Sequence, residues 1–207
     1  MLILSISSAM VNILSGTYST ISAFMSLYDY LAIIVLMALE SASLPLPSEV
    51  ILPLAGHFVR TGNLNMIIAI VASMVGTAIG ISVDYWIAYF IEKDVVYRHL
   101  HTFRINRSSL EAFSGWFAKN GAFTVFVSRM RPVVRGLISF PAGFAKMSLK
   151  DFYLYSLIGA LIWNTALIVF GYYALSITNI QVMFAVLALF AVVLYFVYKA
   201  GMKRIKG

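Results

Sequence analysis

The chain has 207 residues, of which 61% are hydrophobic and 11% are charged. A soluble domain has about 45–50% apolar and about 25% charged residues, so this composition predicts a polytopic membrane protein with one bundle of about five or six membrane elements. The chain has no cysteine, which excludes disulfides, thiolate metal sites and a cysteine nucleophile. Its net charge of +7 is carried by basic residues that cluster at predicted membrane borders, so nucleic-acid binding is not expected.

Residues 1–28 are uncharged and are predicted to form a helix. Polar side chains recur in it at spacings of three and four residues, which places them on one helical face. They are Ser8, Asn12, Ser15, Ser19, Ser22 and Ser26. The stripe suits either the membrane interface or a contact with other helices. No basic region precedes it, so a cleaved signal peptide is not expected.

Residues 31–60 form an apolar stretch that is interrupted by acids and prolines. The interruptions are Glu40, Pro45, Pro47, Glu49 and Pro53. The stretch is too short for two spans, which need about 40 residues, and proline breaks a helix interior. We therefore expect a re-entrant helical hairpin that turns at residues 43–48 and is covered by protein or water.

Residues 64–91 are long and apolar enough for a full transmembrane helix. Gly76 and Gly80 form a GxxxG pair, which predicts close packing against another helix, and Asp84 follows in the same segment. After a basic loop, residues 108–119 begin with a capping-box pattern and place apolar residues on one face. They are predicted to form an amphipathic helix on the membrane surface.

Residues 121–145 repeat the first anomaly, since prolines and charges again interrupt an apolar stretch that is too short for two spans. The interruptions are Arg129, Arg131, Pro132, Arg135 and Pro141. We expect a second re-entrant hairpin here. Residues 152–175 and 179–198 are predicted to be ordinary transmembrane helices, with an interhelical hydrogen bond from Asn164 in the first of them.

The distribution of basic residues predicts the orientation. The basic loop at residues 92–107 and the basic tail at residues 199–206 should both be cytoplasmic. They lie on the same side if residues 121–145 re-enter rather than cross, because two spans then separate them. The C-terminus is therefore expected in the cytoplasm, and the two hairpins are expected to enter from opposite faces.

The two halves of the chain share short patterns. Pro53-Leu-Ala-Gly56 closes the first hairpin and Pro141-Ala-Gly143 closes the second, and each following helix has a Ser-x-x-Gly pattern at Ser73 or at Ser156. The predicted fold is an all-α membrane protein with two opposed re-entrant helical hairpins, about three full transmembrane helices and an inverted repeat. Such repeats serve alternating access around a site at the bilayer midplane.

Two motifs resemble those of the DedA family, within the wider group of SNARE-associated Golgi or VTT-domain proteins. The first motif has the residues Glu40, Pro45, Pro47 and Glu49, followed by Leu54-Ala55-Gly56. The second has Phe126, Arg129, Pro132 and Arg135, followed by Pro141-Ala142-Gly143. The likeness covers roughly residues 30–175. Ala88-Tyr89 stands where the family often has a glycine-arginine pair.

The resemblance implies a lipid transporter in the plasma membrane of a prokaryote. It implies recycling of undecaprenyl phosphate or a similar polyprenyl-phosphate carrier lipid, with coupling to protons. It assigns functional roles to Glu40, Glu49, Arg129 and Arg135, whereas Arg131 and Asp84 lie outside the motifs. Eukaryotic relatives scramble phospholipids, so passive scrambling is the nearest alternative.

The residue types fit that chemistry. Arginine binds phosphate oxygens in pairs and stays charged when it is buried, so Arg129, Arg131 and Arg135 are candidate phosphate ligands. Glu40, Glu49 and Asp84 are candidates for ion pairing or proton uptake, because burial favours the neutral form of a carboxylate. The hairpins are expected to be shaped by Pro45, Pro47, Pro53, Pro132, Pro141, Gly56 and Gly143. No metal site or cofactor is predicted, and the sequence does not give the oligomeric state.

Two further functions were weighed. An ion antiporter would use the acids, but the arginines suit an anion better. A membrane lipid phosphatase would need a nucleophile with an acid-base partner, usually histidine. The histidines are His57, His99 and His101, none of them in the arginine hairpin, so the chain is not expected to be an enzyme.

Overall fold

The structure is a computed structural model that describes residues 2–90, 117, 120–131 and 134–174. Within these ranges the chain forms helices joined by turns, without a strand. The helices are α1 (Leu2–Ser41), α2 (Ser48–Arg60), α3 (Met66–Phe90), α4 (residues 120–129), α5 (Val134–Leu137), α6 (Ser139–Phe144) and α7 (Leu149–Ala174). The predicted helix at 179–198 lies outside the described residues, as does the predicted surface helix at 108–119 except for Phe117, which is helical and buried.

In the described part, three helices are long and apolar enough to cross a membrane: Gly16–Ser41, Met66–Phe90 and Leu149–Tyr173. The protein is an integral membrane protein. The second and third spans lie where the sequence predicts full transmembrane helices. The first was not predicted as a span, because α1 joins the expected N-terminal helix to the first arm of the expected hairpin. The backbone leaves helical geometry inside α1 only at Asp29 (φ 46°, ψ −122°), so the predicted boundary at residues 28–31 is a kink.

The first helical hairpin consists of residues 30–41 of α1, a turn at 42–47, and α2. Ser43 has a left-handed backbone (φ 60°), and Pro47 is extended before α2 begins. Because a proline nitrogen has no hydrogen to donate, Pro45 and Pro47 prevent the helix from continuing through the turn. Pro53, expected to shape the hairpin, lies within α2.

The first arm of this hairpin runs parallel to α3. The Tyr30 hydroxyl accepts a hydrogen bond of 2.7 Å from the main chain of Asn65, just before α3 begins. Further along, Gly76 faces the main chain at Ile34, and Gly80 faces the main chain at Ala38. The close packing predicted from the GxxxG pair is confirmed. The hairpin turn is therefore reached before the end of α3.

Helices α3 and α7 run antiparallel at the centre of the molecule. The side-chain amide of Asn164 donates to Ser73 Oγ at 3.2 Å and to Thr77 Oγ1 at 3.3 Å. At the other end of the pair, the hydroxyls of Ser82 and Tyr153 lie 2.7 Å apart. The interhelical hydrogen bond predicted for Asn164 is confirmed.

The second arm of the first hairpin packs on the C-terminal half of α7. Gly56 of α2 faces the main chain of Ile168 and Tyr172, and Gly171 faces the main chain of Pro53. Side chains at either glycine would collide with backbone. The two helices therefore cross in direct main-chain contact.

The second helical hairpin (residues 120–144) packs on the remaining halves of α3 and α7. A Cβ on Gly159 of α7 would lie 2.8 Å from the Cβ of Arg129 and 3.0 Å from the carbonyl of Phe126, so α4 packs there. A Cβ on Gly143 of α6 would lie 2.7 Å from the Cβ of Ala88 in α3. The two hairpins thus occupy opposite ends of the α3–α7 pair.

The apolar core is divided in the same way. One buried cluster includes Ala69 and Ala72 of α3, and the other includes Ile81 and Tyr85 of the same helix. Thr77 lies between these two groups. The polar residues described next occupy this intermediate level.

Candidate functional site

A buried ion pair joins the two hairpins. Nη2 and Nε of Arg135, in α5, lie 2.7 Å and 2.8 Å from the same carboxylate oxygen of Glu40, near the end of α1. The other oxygen of Glu40 accepts a hydrogen bond of 3.1 Å from Ser41. Both charged side chains are more than nine-tenths buried. A charge is stable at such a site only when it is paired, so the contact fixes the two hairpins against each other.

Arg129, at the end of α4, directs its guanidinium toward the same pair. Its Nη1 donates to the main-chain carbonyl of Arg135, and its Nη2 donates to Ser139 Oγ at 2.8 Å. Its Nε is buried without a hydrogen-bond partner among the described residues. Arg129 is 3% exposed and is held by neutral acceptors, while Glu40 and Asp84 act on it at longer range. It is therefore a buried cation with donor capacity left over.

Asp84 of α3 is tied to the turn of the first hairpin. Its carboxylate accepts a hydrogen bond of 2.5 Å from the Ser43 hydroxyl, and only 2% of Asp84 is exposed. The same hydroxyl lies 3.2 Å from the carbonyl oxygen of Gly136 in α5. Ser43 thus contacts both α3 and the second hairpin.

The face of Trp163 supports one of the arginines. The guanidinium carbon of Arg135 lies 5.7 Å from the centroid of the Trp163 ring, which is within the range of a cation–π interaction. Contacts of this type are worth about 0.5–2 kcal/mol and orient the guanidinium plane. Trp163 thus helps to set the direction of Arg135.

A cleft with about 230 Å³ of empty space opens beside these groups. Its lining consists of Glu40, Ser41, Thr77, Arg129, Arg135, Ala160 and Asn164. Thr77 lies near the middle of α3 and Asn164 near the middle of α7, and both helices have membrane-spanning length. The cleft is therefore about halfway along the two central helices, with arginines on one wall and neutral polar groups on the other.

Several residues expected at the site lie elsewhere. Glu49 is half-buried in the first turn of α2 and makes no hydrogen bond or ion pair with the described residues. Arg131 is exposed beside the break after α4 and does not line the cleft. Pro132 lies outside the described residues. Of the six charged candidates, the cleft and its rim bring together Glu40, Asp84, Arg129 and Arg135.

Sequence reasoning missed four contributors that carry no charge: Ser43, Thr77, Ser139 and Trp163. The first three are small hydroxyl residues of a kind that is common in membrane helices, so no spacing distinguishes them. Trp163 was expected to pack or to anchor at the interface. Its neighbour Asn164 gave the only signal, because a polar residue in mid-span marks the inward face of α7.

The charges at the site balance. Two buried guanidiniums face two buried carboxylates, and Arg129 interacts electrostatically with both acids. A bound anion would add negative charge to this neutral set. The arrangement therefore holds an anion stably only if a carboxylate moves away or takes up a proton.

Comparison with known proteins places the chain in a family. The VTT domain model matches residues 46–173, which include Asp84, Arg129 and Arg135. The chain belongs to the VTT domain family. No solved structure matches the chain.

Three relatives illustrate how this VTT domain protein is related to named proteins. Undecaprenyl phosphate transporter A of Staphylococcus aureus is 34% identical over 155 residues, which cover 73% of this chain and 76% of that protein. An alkaline phosphatase-like protein of Lactococcus lactis is 34% identical over 152 residues, or 71% of each chain. Protein DedA of Escherichia coli is 32% identical over 139 residues, which cover 66% of this chain and 63% of that protein.

Proposed function

We propose that this protein transports a membrane lipid with an anionic phosphate headgroup, of the polyprenyl-phosphate type, across the plasma membrane of a prokaryote. The observation that carries the proposal is the convergence of Arg129 and Arg135 on a cleft halfway along two membrane-spanning helices. The name of the Staphylococcus aureus relative supports the substrate class. The lipid tails remain in the bilayer while the headgroup passes through the cleft.

The proposed architecture is a pair of re-entrant hairpins that enter from opposite faces of the membrane. The first hairpin turns at Ser43, beside Asp84 and before α3 ends, and the second packs at the other end of the α3–α7 pair. Non-helical backbone at this depth is tolerated where protein or a polar cavity covers it. In this arrangement the two hairpin turns meet at the cleft.

An inverted repeat accounts for the way in which the hairpins pack. Gly56 of the first hairpin and Gly143 of the second each lie against the opposite central helix. The neighbours are Ile168, Gly171 and Tyr172 for Gly56, and Tyr85, Ala88 and Tyr89 for Gly143. Each residue of the first set follows its counterpart by the same 83 positions, which also separate Gly159 from Gly76. The same packing thus recurs in the two halves, as expected for repeats around a midplane site.

The proposed mechanism is an exchange of partners at Arg135. A phosphate oxygen replaces the carboxylate of Glu40, and the unpaired Nε of Arg129 supplies a further donor. Released from its cation in a buried site, Glu40 then takes up a proton, because burial without a partner disfavours the charged form. Each headgroup bound is thereby accompanied by a proton, and Glu49 is proposed to carry protons to or from the hairpin.

Hydrolysis of the lipid is the second candidate, because one relative has an alkaline phosphatase-like name. Ser139 accepts a hydrogen bond from Arg129 and would be the nearest nucleophile. Among the described residues, neither a histidine nor a carboxylate is hydrogen-bonded to Ser139, so its hydroxyl has no base to activate it. We therefore propose a transporter and not an enzyme.

The test uses the purified protein in liposomes that contain labelled polyprenyl phosphate in one leaflet. We expect transfer to the other leaflet that accelerates with a pH gradient and falls at least about tenfold in Arg135→Ala and in Glu40→Gln. Polyprenol, which has no phosphate, should not be transferred. Transfer that ignores the gradient and survives Glu40→Gln would indicate passive scrambling, and release of inorganic phosphate would indicate a phosphatase.

A further inference from the structure

Two separate links join the hairpin turns. The ion pair between Glu40 and Arg135 is the first link, and the contact between the Ser43 hydroxyl and the Gly136 carbonyl is the second. Gly136 directly follows Arg135, and a Cβ on Gly136 would lie 3.7 Å from the Cα of Ser43. The same two short segments are thus held together twice.

The second link depends on a hydrogen atom that Asp84 also attracts. The Ser43 hydroxyl has one hydrogen to donate and two acceptors within reach, Asp84 Oδ2 at 2.5 Å and the Gly136 carbonyl at 3.2 Å. When Asp84 is ionised, its carboxylate takes that hydrogen, because a hydrogen bond to a charged acceptor is about twice as strong as one to a neutral acceptor. Little donor capacity then remains for Gly136.

A proton on Asp84 reverses the direction of this hydrogen bond. The protonated carboxyl group donates to Ser43 Oγ, and the Ser43 hydrogen is then free to point at the Gly136 carbonyl. Both hydrogen bonds are complete in this state. The proton therefore strengthens a contact between hairpins at an oxygen that it does not itself touch.

We propose that Ser43 and Asp84 are positioning residues that form a proton-operated link between the two hairpins. The link is made when Asp84 Oδ2 carries a proton and is weakened when that proton leaves. Its place in a transport cycle rests on the function proposed above. The link itself is a property of the protein without lipid.

The charged groups around Asp84 allow it to change its protonation. Arg129 interacts with Asp84, and it also interacts with Glu40 and with Arg135. Helix α6, which packs on α3, has no ionisable side chain, and α7 contributes the Tyr153 hydroxyl bonded to Ser82. Asp84 has no ion pair within 4 Å among the described residues, so the field of Arg129 opposes the effect of its burial.

Two links that respond to two different agents give a physical basis for coupling. Phosphate at Arg135 removes the first link, and deprotonation of Asp84 removes the second. Either change alone leaves the hairpin turns joined. Free separation of the turns requires both, so neither lipid nor proton moves the hairpins without the other.

The test measures the distance between the two turns as a function of pH. The chain has no cysteine, so Leu44→Cys and Leu137→Cys give two unique sites for spin labels. Leu44 is 47% exposed and Leu137 is 54% exposed, and they are neighbours of Ser43 and Gly136 respectively. In lipid nanodiscs without polyprenyl phosphate, we expect the distance to lengthen or to broaden by about 2 Å or more between about pH 5 and about pH 9.

Two substitutions fix the link in opposite states. Asp84→Asn has no proton to lose, and its amide can donate to Ser43, so the distance should stay short at every pH. Ser43→Gly removes the hydroxyl but suits the backbone at φ 60°, so the distance should stay long in a folded protein. Thermal unfolding reports whether each variant has retained its fold.

A matched control is available at the surface. Asp151 accepts a hydrogen bond of 2.7 Å from Ser148 in an exposed Ser–Asp pair, and Asp151→Asn should leave the pH response unchanged. A distance that does not respond to pH in the parent protein, or a response that persists in Asp84→Asn, would overturn the proposal. If the pH response is present but polyprenyl phosphate never lengthens the distance further, the lipid assignment fails and the link stands.

Discussion

Arg129 and Arg135 lie six residues apart, and the guanidinium of Arg129 donates to the main-chain carbonyl of Arg135. In an unbroken helix, residues at this spacing point about 120° away from each other. The chain is not helical at Met130 and Arg131, so the two side chains can turn into one cleft. The break after α4 therefore makes a two-arginine site from residues that a continuous helix would separate.

The first prediction concerns the geometry of the arginines. Arg129→Lys and Arg135→Lys keep the charge but lose the planar fork of donors. Because a hydrogen bond to a charged group contributes about 1.5–3 kcal/mol, we expect each change to weaken binding of polyprenyl phosphate by about tenfold or more. Equilibrium binding to the protein in nanodiscs measures this effect.

Arg131 supplies the control for that experiment. It is exposed and does not line the cleft, so Arg131→Lys should change the affinity by less than about twofold. An equal loss of affinity in all three variants would indicate general attraction to the basic protein instead of a site built by Arg129 and Arg135.

The second prediction separates stability from binding at Glu40. Removing one partner from a buried ion pair costs about 3–5 kcal/mol, and Glu40→Gln should approach the lower end because its amide oxygen still accepts from Arg135. Bound phosphate would replace the missing charge. We therefore expect a lower melting temperature than in the parent protein, together with a larger rise when polyprenyl phosphate is added.

Glu49→Gln is the matched comparison. Glu49 is half-buried and makes no contact of this kind with the described residues, so its substitution should change the free energy of unfolding by less than about 1 kcal/mol. A proton-carrying role predicts that transport nevertheless slows. Normal transport by Glu49→Gln would remove Glu49 from the mechanism.

Local features of the fold were predictable where a residue has a strong intrinsic effect on the backbone. Pro45 and Pro47 lack amide hydrogens, so the turn after α1 could be placed from the sequence. The spans at residues 64–91 and 152–175 follow from length and hydropathy alone. The continuous α1 was not predicted, because the kink at Asp29 replaces a helix end that no proline or glycine marks.

The site could be predicted only as a set of residue types. Arginines and carboxylates inside apolar sequence indicate buried charge, but which acid pairs with which arginine depends on how the hairpins pack. Glu40 reaches Arg135 because both lie at hairpin turns, whereas Glu49 starts the returning helix and lies outside the contact. Ser43 and Trp163 act through neighbours that are distant in sequence, and no local pattern shows such contacts.

The third prediction concerns the support behind Arg129. A methyl group at residue 159 would lie 2.8 Å from the Arg129 Cβ, so Gly159→Ala should push α4 away from α7. We expect destabilisation of about 1–3 kcal/mol and weaker lipid binding, since the arginine moves with its helix. Gly16→Ala is the control, because no atom lies within 4 Å of the added group, and it should be neutral or slightly stabilising.

The central claim is that the phosphate group of the lipid binds between Arg129 and Arg135 in place of Glu40. Solid-state NMR measures it most directly, through dipolar coupling between the lipid phosphorus and guanidinium nitrogens in protein labelled at arginine. We expect the phosphorus to couple to two arginines. One coupling should disappear in Arg129→Lys and the other in Arg135→Lys, whereas both should persist in Arg131→Lys. Coupling to no arginine, or coupling that disappears only in Arg131→Lys, would contradict the claim.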